Sequence, residues 1–138
     1  MNASVVIIAI VILAIVIFID REIYYFDGAH LGPRAQGWLY NAWAKKYDSD
    51  KRKTQANDRE VLAQPLLERL AAVHPAPADV LVLDVAAGTG RFSSILIQQP
   101  EFRGRIIAGD VSLEMLGRAA VKVAPFLERI DFLNRPAF

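Results

Sequence analysis

The chain has no cysteine, only two histidines and almost no excess charge: 16 Lys and Arg stand against 15 Asp and Glu in 138 residues, a formal net charge of +1. The lack of cysteine excludes a disulfide framework, thiol catalysis and thiolate metal sites. His30 and His74 are isolated in the sequence and read as solvated side chains rather than a ligand pair. The balanced charge excludes the broad basic footprint of a nucleic-acid binder. No internal repeat is visible, and no candidate nucleophile has a recognisable base.

What is present is unevenly distributed. The 54% apolar content is inflated by one run, Ala3 to Ile19 (ASVVIIAIVILAIVIFI), 17 residues with no charge and a single hydroxyl. As a helix this run spans roughly 25 Å, enough for a bilayer core with some thinning or snorkelling. A buried soluble helix would carry amphipathic breaks. A cleaved signal peptide would carry Lys or Arg before the run and a small-x-small site near Ile17 to Asp20, and neither is there. The reading is an uncleaved single-pass anchor over residues 1–22, with membrane lipid as a partner. Asp20, Arg21 and Glu22 end it, and Ile23 to Phe26 would put aromatic rings at headgroup level. Arg21, Arg34, Lys45, Lys46, Lys51, Arg52 and Lys53 all follow the run, which predicts an outside N-terminus and a cytoplasmic C-terminal portion. The charge run itself reads as a solvated face interspersed with Asp48, Asp50 and Asp58.

The second informative stretch is Val80 to Phe92, VLVLDVAAGTGRF. Val80 to Leu83 are apolar on both faces, as in a parallel strand covered by helices above and below. Asp84 closes the strand, Gly88 and Gly90 let the backbone turn tightly beside a ligand, and Arg91 to Gln99 reads as the next helix. A plain strand-to-helix turn would look similar. A second acid argues for more: Asp110 ends the apolar run Arg105 to Gly109, and Ser112 caps a helix carrying Leu113, Leu116 and Ala120 on one face. A carboxylate about 20 residues past such a turn suits the vicinal hydroxyls of a ribose, whether of NAD or of S-adenosylmethionine. Asp84 favours the latter, because an acid at that mouth repels a pyrophosphate and attracts an ammonium and a sulfonium.

Between these stretches, Gly28, Gly32 and Pro33 mark a linker, and Ala35 to Tyr47 predicts a helix with Trp38, Leu39, Ala42 and Trp43 on one side, packed on the sheet or lying in the membrane interface. Asp58 to Val73 is a second amphipathic stretch with Leu62, Leu66, Leu70 and Val73 on one face, kinked or restarted at Pro65. His74 to Pro77 reads as a stiff connector.

The chain resembles the class I S-adenosylmethionine-dependent methyltransferases, particularly the branch that includes ubiquinone and menaquinone biosynthesis enzymes. LDVAAGTGRF is similar to that family's first motif, with Ala86 where many members have a glycine, and IIAGDVSLEMLGRA is similar to its second. WAKKYDSD (Trp43 to Asp50) resembles the aromatic-acidic segment that often precedes the catalytic domain, and lets Tyr47 approach the cofactor. The resemblance implies S-adenosylmethionine as cofactor, with Asp84, Ala86, Gly88 and Gly90 on the methionine side and Asp110 on the ribose. RIDFLNRPAF resembles the third strand and the loop that in the family meets the adenine amino group, but the adenine contact is not carried to Asn134.

The implied architecture is α/β: one transmembrane helix, an interfacial or linker segment over 23–57, and a partial, three-strand Rossmann-like sheet over 58–138 corresponding to the N-terminal half of the family domain, which usually needs about 200 residues. The strands are expected at Asp79 to Asp84, Arg105 to Asp110 and Arg129 to Leu133. The first strand then has an open edge, which calls for a protein partner or complex to cover it. Two functions fit: a membrane-anchored methyltransferase, or its cofactor-binding part, acting on a small or lipid-soluble acceptor; and a non-catalytic single-span subunit of a larger respiratory or photosynthetic membrane complex.

Overall fold

The computed structural model describes residues 2–26, 29–52, 57–73 and 80–136. The connector expected at 74–77, with His74, lies outside the described residues.

Helix α1 runs Ala3–Tyr24, about 33 Å at 1.5 Å per residue. The Asn2 side chain caps it, accepting from the Ser4 N–H at 3.4 Å. The helix outlasts the apolar run by more than a turn, because Asp20 to Glu22 continue it instead of breaking it. Every large apolar side chain from Ile7 to Ile19 is at least 50% exposed. The helix is long and apolar enough to cross a membrane, and none of its apolar window is buried against the rest of the chain.

Helix α2 spans Pro33–Lys51, with the proline in its first turn, where a missing N–H costs nothing. Its contact face differs from the expected one. Gly37 and Ala44 are its buried residues, whereas Trp38 stands exposed. Helix α2 packs on the segment after β2 through small residues and polar bonds, so its bulky aromatics are left to other surfaces. Beyond it, a π-helical turn at Arg59–Ala63 leads into α3, Gln64–Val73. The helical stretch is unbroken from Asp58 to Val73, with the Gln64 N–H donating to the Arg59 carbonyl, and the π turn falls immediately before Pro65, whose missing N–H interrupts a regular α ladder.

The sheet has three parallel strands in the order β1 (Leu81–Val85), β2 (Arg105–Asp110) and β3 (Ile130–Asn134). Leu83 pairs with Ile107, and Ala108 with Phe132. Helices α4 (Arg91–Ile97) and α5 (Leu113–Lys122) follow β1 and β2, so the unit is the mixed α/β arrangement expected, with strand ends shifted by a residue or two. One face of the sheet meets α3, α4 and α5. Ile106, Ala108 and Ile130 are buried there with Leu96, Ile97 and Phe102, and Leu66 and Leu70 pack against them.

The opposite face is bare. Leu81, Leu83 and Val85 are 61%, 62% and 51% exposed. The expectation of helices on both faces of the first strand is thus corrected: among the described residues, helices cover one face only. Among the described residues, the β1 strand also lies at the edge of the sheet, with β2 as its sole partner.

Candidate functional site

A cleft of about 610 Å³ opens where the C-terminal ends of the strands meet α2, a position and size typical of small-molecule sites in α/β sheets. Its floor is the glycine turn. Ala87 N–H donates to the Gly109 carbonyl at 2.9 Å, which ties the turn to the end of β2. Gly88 sits at φ 54° and its N–H donates to Asp110 Oδ2 at 2.8 Å. The Ser112 N–H donates to Asp110 Oδ1, also at 2.8 Å.

Asp110 is only 8% exposed yet lines the cleft. Two backbone donors fix its carboxylate, one to each oxygen, and each oxygen retains acceptor capacity. A vicinal diol requires such a pair of acceptors held at one spacing. Asn134 reinforces the position, its Nδ2 donating to the carbonyls of Asp110 and Val111 at 3.0 and 3.1 Å. That structural use is all the geometry gives Asn134.

Ala86 lines the cleft with φ 58°, the left-handed region that favours glycine. The backbone of a glycine position is therefore kept with an alanine in it. Gly90, at φ 70°, has a different surrounding. A Cβ there would lie 2.7 Å from the Ala119 Cβ, so Gly90 allows α4 and α5 to approach, and it is not among the cleft-lining residues.

Asp84 does not reach the cleft. Strand side chains alternate, so Leu83 and Val85 face the cleft while Asp84 points to the helix-covered side, accepting from Ser93 Oγ at 2.5 Å. Burial pushes its carboxyl above the usual carboxylate range; hydrogen bonds from Ser93 offset this in part, and the Asp110 charge adds to the upward push. Asp84 thereby holds the first turn of α4 beneath the glycine loop.

Helix α2 forms the roof. Tyr40 and Tyr47 line the cleft, with Gln36 and Pro33 nearer its start. Tyr40, Trp43 and Tyr47 pack as a ring cluster, with Trp43 and Tyr47 centroids 5.1 Å apart at 76°. Two polar clamps hold the roof down. Asn41 Oδ1 accepts from Ser112 Oγ at 2.7 Å and from the Glu114 N–H at 3.2 Å. Asp48 accepts from Thr89 Oγ1 at 2.6 Å and pairs with Lys122 Nζ at 2.8 Å, and Lys122 also reaches Thr89 Oγ1 at 2.9 Å. Burial pushes the Asp48 carboxyl up, but hydrogen bonds from Lys122 and Thr89, with the Lys122 and Arg118 charges, outweigh it and hold the group below its ordinary value.

The solvated-face reading of Asp48 and Asp58 is corrected by these contacts. Asp58 forms a bidentate pair with the Arg91 guanidinium at the start of α4, and the Arg91 hydrogen bonds hold its carboxyl below the usual range against the effect of burial. Asn41 and Asp48 were legible only as polar residues on a helix; their spacing of seven, which places them on one face two turns apart, was the available signal.

No family model and no curated protein matches the chain. Among solved structures, the DhpI–SAH complex is similar over 75% of this chain and 44% of that one, at 28% identity and a TM-score of 0.49. Phosphoethanolamine N-methyltransferase 1 of Haemonchus contortus, in complex with phosphoethanolamine and S-adenosylhomocysteine, is similar over 74% of this chain and 22% of that one, at 14% identity and a TM-score of 0.37. The chain thus spans less than half the length of either structure.

Proposed function

We propose that this chain is the S-adenosylmethionine-binding part of a class I methyltransferase held at a membrane by α1. The observation that carries the reading is the Asp110 carboxylate, fixed by the Gly88 and Ser112 N–H groups and presented to a cleft under Tyr40 and Tyr47. Asp110 accepts the two ribose hydroxyls, Ala86 and Gly88 border the methionine side, and the aromatic roof with Met115 and Val111 offers apolar surface to the adenine. Bound there, the cofactor supplies an electrophilic methyl group for direct displacement. The chain's own residues orient it and exclude water beneath α2. A small or lipid-soluble acceptor suits a cleft tethered to a bilayer.

Calorimetric titration of the full chain in detergent with S-adenosylmethionine tests the reading. Saturable binding is expected, with Asp110→Ala weaker by at least about tenfold, since hydrogen bonds to a charged group contribute roughly 1.5–3 kcal/mol. An absence of binding by the parent chain, or tighter binding of NAD, overturns it. The membrane orientation is tested by single-cysteine labelling, which the cysteine-free sequence makes clean. In sealed inside-in vesicles an impermeant maleimide should modify Asn2→Cys and spare Arg52→Cys.

A second reading, a non-catalytic single-span subunit of a larger complex, is favoured by the bare sheet face and the β1 edge. On this reading another polypeptide covers Leu81, Leu83 and Val85. Native mass spectrometry of the solubilised assembly would then show an added subunit that Leu83→Lys releases. A monomer of unchanged mass for both parent and variant removes this reading.

A further inference from the structure

The proposed cofactor cleft leaves a second cavity unexplained. It lies where α1 meets the short 3₁₀ turn Ala29–Leu31, measures about 450 Å³, and is lined by Ala14, Ile17, Phe18, Arg21, Glu22, Phe26 and His30. Glu22 is 3% exposed, and the His30 Nδ1–H donates to its Oε1 at 2.9 Å. Its Oε2 is buried with no hydrogen-bond partner among the described residues. A buried carboxylate oxygen without a donor is a costly arrangement that native structures reserve for sites with a use. An ionisable group at the end of a membrane-spanning helix adds to that argument.

The surrounding side chains restrict what could supply the donor. The Arg21 guanidinium lies over the Phe26 ring at 5.7 Å, and Phe26 packs edge-on against His30 at 4.6 Å. The polar end therefore carries a carboxylate oxygen lacking a donor and, one residue away, a cation. The other end, formed by Ala14, Ile17 and Phe18, extends one to two turns into the apolar run. An occupant must combine an N–H-bearing cation, an anion close to it and an apolar tail leaving at one side. A quaternary ammonium has no N–H to give, and a simple fatty acid brings a second carboxylate to Glu22.

We propose that this cavity binds one phospholipid with a primary ammonium headgroup. The ammonium donates to Glu22 Oε2, the phosphate pairs with Arg21, and an acyl chain lies against Ala14, Ile17 and Phe18. The proposal rests on α1 lying in the bilayer, which resistance of the full chain to alkaline carbonate extraction reads separately.

The test uses the full chain in nanodiscs of phosphatidylcholine containing a minor fraction of phosphatidylethanolamine or phosphatidylglycerol, with retained lipid identified by native mass spectrometry. Phosphatidylethanolamine should be enriched about tenfold over phosphatidylcholine, the effect of one hydrogen bond to a charged group. Glu22→Gln should abolish the enrichment, and so should Ala14→Trp, which fills the apolar end without touching the carboxylate. If Glu22→Gln loses helical circular dichroism, Ala14→Trp alone decides. Absence of enrichment, preference for phosphatidylglycerol, equal retention in both variants, or displacement by soluble O-phosphoethanolamine overturns the site. A chain extracted by carbonate shows instead that the membrane reading of α1 has failed.

Discussion

The two faces of the sheet are made of similar residues and have opposite surroundings. On one side Ile106, Ala108 and Ile130 are sealed under α3, α4 and α5; on the other Leu81, Leu83 and Val85 stand more than half exposed. Apolar character in a strand therefore reports a capacity for burial, whereas coverage is set by which helices the connections deliver and to which side. Both of the βα crossovers described, through α4 and α5, bring their helices to the same face. The cleft sits at the boundary between the two regimes, with Gly88 and Asp110 braced by the covered side and Leu83 and Val85 contributed by the bare one.

The largest expected effect tests this contrast directly. Ile106→Ala, at a fully buried position, should cost about 2–5 kcal/mol in urea unfolding of the detergent-solubilised chain, whereas Leu83→Ala should cost under about 1 kcal/mol. Comparable losses would show that the bare face is covered in solution. Next is Gly90→Ala, expected to cost about 2–4 kcal/mol by the same measurement, because it adds left-handed strain to a 2.7 Å clash with Ala119. A loss no larger than that of an ordinary surface change would mean that α4 and α5 are not closely packed there. A smaller effect of opposite sign is expected at the rim of the cleft: Ala86→Gly should stabilise by about 1 kcal/mol, since the backbone already occupies φ 58°.

The last prediction concerns pH. Asp48 and Asp58 have folded-state values below their ordinary 3.8, so the stability they contribute is present above that value and is lost as pH falls through the lowered folded values. Asp84 runs the other way: its raised value favours the fold while protonated, and that contribution is lost as pH rises through the folded value. Asp58→Asn should therefore flatten the acid limb of the stability profile. An unchanged acid limb would show that the Arg91 pair contributes nothing to it.

Much of the local structure was readable from the residues. The strand at Val80, the glycine turn, the helix after Ser112 and the acid at Asp110 were each signalled by apolar runs, turn residues or caps, and each lies within a residue or two of its expected place. The side that Asp84 takes was less accessible. Alternation places it opposite Leu83 and Val85, but only the position of α2 shows which of the two sides carries the cleft. The contact face of α2 was less accessible for a related reason. Trp38 stands exposed, and the contact is made by Gly37, Asn41, Ala44 and Asp48 against a loop and a helix that offer hydrogen bonds.

The sequence by itself determined what is local: an apolar helix too long and too uniform for a small core, three strands with their turns, and an acid at the end of each of the first two strands. These follow from backbone preference and residue spacing, which need no distant partner. Only the tertiary structure decided which sheet face is bare, that Asp84 faces Ser93 while Asp110 faces the cleft, and that Glu22 is buried against His30. Each of those outcomes depends on residues that pack together from different elements, or on the hand of a crossover, and no pattern within a single stretch encodes them.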